Sequence, residues 1–136
     1  MTPLQSLDAA LRKSGPGNGI RMTTADEIKA WSATIGDASS RITAIIDDWS
    51  IVTIADLGLE RLHLVGNLVG TTKTRVTSPI LRIDLKEGFV ITLSESIYQL
   101  GTPHEDEPEV GQVFALAQAI GNWRTSQGRD GFNYYH

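Results

Sequence analysis

Changes of hydrophobic period divide the chain. Leu4, Leu7 and Leu11 form a stripe at helical spacing behind Thr2-Pro3, an N-cap with proline in the first turn, where a missing N–H costs nothing. The spacing predicts a helix over about 3–13, ended by Gly15-Pro16-Gly17-Asn18-Gly19. That glycine run follows a helix and contains proline, so it reads as a connector rather than a phosphate-cradling loop. A stronger start follows at Thr24, with Glu27 three residues on in capping-box spacing. Ile28, Trp31, Ile35, Ala38, Ile42, Ile45 and Trp49 then recur at steps of four and three, predicting a long amphipathic helix over about 25–48. It is either one helix bent at Gly36-Asp37 or two helices sharing the pattern. The seam packs on the protein's own sheet or, alternatively, on a second copy.

After residue 50 the period falls to two. Leu62, Leu64 and Leu68 alternate with His63, Val65, Asn67 and Val69, while Gly66 and Gly70 suggest a bulge and an end. A polar turn leads to Arg75-Val76-Thr77-Ser78, which Pro79 stops. Leu81, Ile83 and Leu85 are answered across Lys86-Glu87-Gly88 by Phe89, Ile91 and Leu93, a hairpin, and Ile97-Tyr98-Gln99-Leu100 is a last strand. Short connections make these antiparallel neighbours in a meander of four or five strands. Its opposite side carries Val65, Val69, Ile80, Val90 and Ile97, too apolar for a solvated face, so helices or a partner must cover part of it. Val110, Val113, Phe114, Ala117, Ile120 and Trp123 then predict a helix over about 109–124 with these residues inward, followed by a tail, 125–136. The sum is one α+β domain over 1–136: helices over 1–50, an antiparallel sheet over 51–103 and a C-terminal helix.

Composition narrows the chemistry. A chain of 136 residues can bury a core unaided, and zero cysteine removes thiol nucleophiles, disulfides and Cys-based metal sites. No stretch approaches the roughly 20 apolar residues of a transmembrane helix, and the N-terminus lacks the pattern of a secretory signal, so a cytoplasmic protein off the membrane is expected. The net charge of −4 is local: residues 101–136 carry 2 basic and 5 acidic side chains, four of the acids being Glu105, Asp106, Glu107 and Glu109. Two prolines and like charges make this an exposed loop, which also suits the N-terminus of the following helix.

His63, His104 and His136 share no metal-binding spacing, and consecutive carboxylates beside His104 cannot all face one ion, so neither a metal nor another cofactor is expected. Asp47 and Asp48, beside Trp49, sit unfavourably at the end of the expected helix, which hints at a functional role; with His63 they are the candidates for an enzymatic reading. Lys73, Arg75 and Arg82 are few cations for direct nucleic-acid binding in a chain of pI about 5.3. Arg75, Arg82 and Trp49 are instead the candidates for a pocket around an anionic nucleotide.

The segments 62–70, 76–84, 90–93 and 97–101 together resemble small β-meander proteins of phages and proteobacterial mobile elements, over roughly residues 60–103. That resemblance implies a small binding protein, such as one that antagonises a bacterial defence system by contacting a host protein or sequestering a nucleotide signal. It carries no catalytic residue. The helical seam and the partly apolar second sheet face motivate the expected function, non-enzymatic protein–protein binding, with a homodimer as one arrangement and Arg75, Arg82, Trp49, Glu105, Asp106, Glu107 and Glu109 as candidate binding residues.

Overall fold

The computed structural model describes residues 1–36 and 38–130. Helix α1 (Pro3–Ser14) forms where the leucine stripe places it. Thr2 Oγ1 accepts the Gln5 N–H and the Gln5 side chain accepts the Thr2 N–H, a reciprocal cap, while Leu4 and Leu11 are buried. The glycine run turns the chain directly into a short strand, β1 (Gly19–Met22). Helix α2 (Ala25–Trp31) begins at the Thr24–Glu27 capping box and lasts only seven residues. A single 3-10 turn (Ser39–Arg41) precedes strand β2 (Ala44–Asp56).

The long amphipathic helix over 25–48 is therefore not formed. The four-and-three spacing at Ile42, Ile45 and Trp49 ran through a segment dense in β-branched residues, Ile42, Thr43, Ile45, Ile46, Ile51, Val52, Thr53 and Ile54. Such side chains lose rotamer freedom in a helix and pack well on a pleated surface. As a strand the segment buries Ile46, Ile51, Val52 and Ile54.

Strands β3 (Leu59–Leu68), β4 (Thr74–Val76), β5 (Ile80–Asp84), β6 (Phe89–Thr92) and β7 (Ile97–Leu100) complete a seven-stranded sheet in the order β4-β3-β2-β7-β6-β5, with β1 beside β2. The sheet is larger than a four- or five-stranded meander, and it is mixed. β2 is its axis: it pairs with β3 along its length, with β1 at residues 52–55, and in parallel with β7 at 44–46. The outer edge of β5 is closed by the chain leaving α2, where Ala33 N–H donates to the Ile83 carbonyl and Ile35 N–H to Asp84 Oδ2. Those backbone donors, Ile35 foremost, hold the Asp84 carboxyl below the usual carboxylate range.

Both faces of β2 and β3 are covered. On one side α1 and helix α3 (Val110–Asp130) pack Leu4, Leu11, Val113, Leu116 and Ile120 against Ile20, Val52, Ile54 and Val65. On the other, the sheet curls over itself, so that Ile80, Ile83, Val90 and Tyr98 meet Ile46, Ile51, Leu62 and Leu64. Each side chain buried like Leu64 or Leu116 contributes about 1.5–3 kcal/mol. The residues expected to share a second face are thus divided: Val65 lies under α1 and α3, Ile80 and Val90 pack against Leu62 and Leu64 of the first face, and Val69 is exposed. An irregularity between Ile80 and Arg82 turns Ile80 inward with Ile83, leaving Leu81 and Leu85 exposed where alternation had placed them inside.

α3 corrects the expected C-terminal face as well. Gln112, Val113, Leu116 and Ile120 are buried, whereas Val110, Phe114 and Ala117 face outward. The helix also continues through residues 125–130, the first part of the expected tail; Phe132, Tyr134, Tyr135 and His136 lie outside the described residues. Among the described residues no helix is long and apolar enough to cross a membrane.

Candidate functional site

The candidate residues of the sequence fall into separate places, and the largest group gathers around a break in β2. Asp47 pairs with Asn67 and Ser50 with Val65, so Asp48 and Trp49 together oppose Gly66, a bulge of two residues against one. Asp48 takes the left-handed conformation (φ 52°), which Asp tolerates better than most residues. Gly66 is required here: a Cβ on it would press on Ile46 Cγ2 and lie 2.8 Å from the Asp47 carbonyl oxygen.

The chain leaving β7 is laced onto this bulge. Asp47 Oδ1 accepts the Thr102 N–H at 2.6 Å, the Trp49 indole N–H donates to the Gly101 carbonyl at 3.0 Å, and His104 N–H donates to the Trp49 carbonyl at 2.8 Å. His104 Nδ1 stands 3.3 Å from Asp48 Oδ1. Gln112, only 1% exposed, completes the join: its Oε1 accepts the Glu109 N–H and its Nε2 donates to the Asp48 carbonyl. The two aspartates thus fix the start of the acidic loop and, through Gln112, the first turn of α3.

The loop divides by exposure. Glu107 turns back to accept the Thr2 hydroxyl at 2.6 Å, tying the N-terminus of α1 to it, and Pro108 is buried. Glu105, Asp106 and Glu109 face outward. Directly beyond them Val110 (72% exposed) and Phe114 (64%) stand one turn apart on the outer face of α3, with Ala117 and Gly121 continuing the same side. No protein family, curated protein or solved structure matches the chain. Its surface chemistry alone argues its function.

The remaining candidates lie apart from this surface. Arg75, on β4, donates to the Tyr98 hydroxyl; Arg82 is exposed on β5; Trp49 is at the bulge. None of the three lines either of the two cavities beside β1. The larger cavity, about 470 Å³, lies between the 15–19 glycine run and the β2–β3 hairpin. Its cations are already matched: Arg12 pairs with Asp8 at 2.9 Å, and Arg21 with Glu27 at 2.8 Å and Glu60 at 3.6 Å. The Arg21 guanidinium, helped by the Thr24 cap, holds the Glu27 carboxyl at about 2. An anion entering there would have to displace a carboxylate.

His63 is fully buried on the helix-facing side of β3, where its ring stacks on Trp123 of α3 at 4.8 Å and its Nδ1–H donates to the Thr77 carbonyl. Burial pushes its pKa down to about 4, so it is neutral at pH 7. It pairs with Val52 and sits on the sheet away from the bulge, while the histidine that meets Asp48 is His104. Among the described residues no three His, Cys, Asp or Glu side chains converge to hold a metal ion.

Two contributors escaped the sequence reading. Gln112 carried one signal, its position three residues after Glu109, the spacing at which an N3 side chain reaches back to the N-cap N–H. The outward face of α3 carried none, because apolar residues run round more than half of that helix.

Proposed function

We propose that the protein is a non-enzymatic binding protein whose contact surface is the outer face of α3 from Val110 to Ala117, rimmed by Glu105, Asp106 and Glu109. The observation that carries this reading is the exposure of Phe114 and Val110, one turn apart, beside three outward carboxylates. Buried aromatic anchors surrounded by a polar rim dominate protein interfaces. The rim is acidic, so the complementary partner is a protein surface with an apolar groove edged by lysine or arginine. The bulge, the Asp47–Thr102 bond and Gln112 make the surface rigid, which lowers the ordering cost of binding.

Three synthetic helical peptides test this. They share one leucine face and carry Lys, Ser or Glu along its flanks; binding is read by anisotropy of a labelled peptide. The Lys peptide should bind tightest, the Glu peptide weakest, with the difference shrinking as salt shortens the Debye length to about 3 Å at 1 M. Phe114→Ser should weaken binding of the Lys peptide at least tenfold while leaving the melting temperature nearly unchanged, because the side chain is exposed. Equal binding of the Lys and Glu peptides, or indifference to Phe114→Ser, would sink the proposal.

A further inference from the structure

The β2–β3 hairpin turns through Leu57 and Gly58, with φ of 52° and 85° and Asp56 paired to Leu59, the geometry of a type I′ turn. Its first position calls for Asn, Asp or Gly, and a hairpin tip calls for a polar side chain. Leu57 is neither: it holds a left-handed conformation that an L-residue with a bulky side chain rarely adopts, and it is 74% exposed. Leu59 is exposed beside it. A residue that violates both local and surface preference points to a contact outside the chain.

The complement to this knob lies next to it. The 470 Å³ cavity has small residues, Gly15, Gly17, Ala55 and Gly58, along part of its wall, with Arg12, Arg21 and Glu60 along the rest. Knob and hole form one unit, since Gly58 N–H donates to the Gly17 carbonyl at 2.9 Å and a Cβ on Gly17 would lie 2.5 Å from the Gly58 nitrogen. With its arginines matched by carboxylates, the hole suits an uncharged group such as a leucine side chain. Around it the rim carries both signs, since Arg12 and Glu60 stay largely exposed while paired with Asp8 and Arg21, so a second copy meets balanced pairs rather than like charge. A surface holding a knob, a matching hole and both charges is self-complementary about a two-fold axis.

We infer that a second copy of this chain docks here, each Leu57 entering the other's cavity. This interface is separate from the α3 surface and stands whether or not that one binds a partner. So small a patch makes a weak dimer, and sedimentation equilibrium should therefore span concentrations up to roughly 1 mM.

The full chain should show a monomer–dimer equilibrium. Leu57→Asn, which supplies the residue the turn prefers, should remove the dimer while keeping or raising the melting temperature; Ala55→Leu, which fills the hole, should also remove it. Leu81→Asn deletes an exposed leucine on β5 and should leave the dimer intact. A wild-type chain that stays monomeric throughout overturns the inference. So does a dimer that survives Leu57→Asn or Ala55→Leu, or one that Leu81→Asn abolishes.

Discussion

Replacing Gly66 with alanine adds one methyl group opposite the β2 bulge. It would press on Ile46 Cγ2, a side chain with no exposed surface, and stand 2.8 Å from the Asp47 carbonyl oxygen and 3.1 Å from the Trp49 Cα. Two of those three neighbours are backbone, so no rotamer change relieves the clash; the bulge must open. Overpacking of this kind costs about 1–3 kcal/mol. At roughly 3–4 °C per kcal/mol for a domain of this size, the melting temperature should fall by about 3–12 °C. Thermal denaturation followed by circular dichroism measures the loss, and the NMR resonance of the Trp49 indole N–H, which donates to the Gly101 carbonyl, reports whether the bulge is what moved. Gly121→Ala is the control: nothing lies within 4 Å of its Cβ, and in a helix interior alanine stabilises by up to about 1 kcal/mol. A Gly66→Ala protein that melts with the wild type would refute the reasoning that this close approach requires glycine.

Acid should act through His63. Its folded pKa of about 4 lies below the unfolded value near 6.5, so below 6.5 the unfolded chain takes up the proton first; the contribution of the neutral buried ring is complete above that pH and is lost as pH falls from 6.5 towards 4. The loss amounts to about 3 kcal/mol, and His63→Phe should flatten urea-derived stability across that window, whereas an unchanged slope would show that another group carries it. Gln112→Leu strips the Asp48 carbonyl and the Glu109 N–H of a buried partner and should cost about 1–3 kcal/mol. Amide exchange in the first turn of α3 should accelerate in that variant, and unaltered exchange would mean that the join is held by other contacts.

The sequence was legible where local chemistry decides. Thr2 and Gln5, and Thr24 and Glu27, each form a reciprocal cap that fixes a helix start, and the alternation of Leu62, Leu64 and Leu68 marks a strand face that is in fact packed in the core. Gly66 announced a bulge, although the extra residue lies in the opposing strand. Where helix and strand compete, the pattern misled: Ile42, Ile45 and Trp49 satisfy a helical spacing, but the β-branched run around them and the pairing with β3 favour extension. β1 is four residues long and exists because β2 offers it an edge, which no local signal encodes. The exposure of Glu105, Asp106 and Glu109 was readable from their charges, whereas the turn of Glu107 back to Thr2 and the burial of Pro108 were not. Phe114 and Leu57 were not readable as surface residues, since exposure of an apolar side chain depends on which way its element is turned against the rest of the molecule.

The parallel pairing of β2 with β7 sets an order on how the chain can be assembled. Residues 44–46 find their hydrogen-bonding partners only at 98–100, more than fifty positions later, whereas the β2–β3 hairpin closes locally. During synthesis, then, the hairpin and α1 can form early, while Ile46 and its neighbours wait with an open edge until β7 leaves the ribosome. The bonds from Gly101, Thr102 and His104 that latch the bulge follow immediately, so the first turn of α3 is positioned only in a chain whose sheet has already closed.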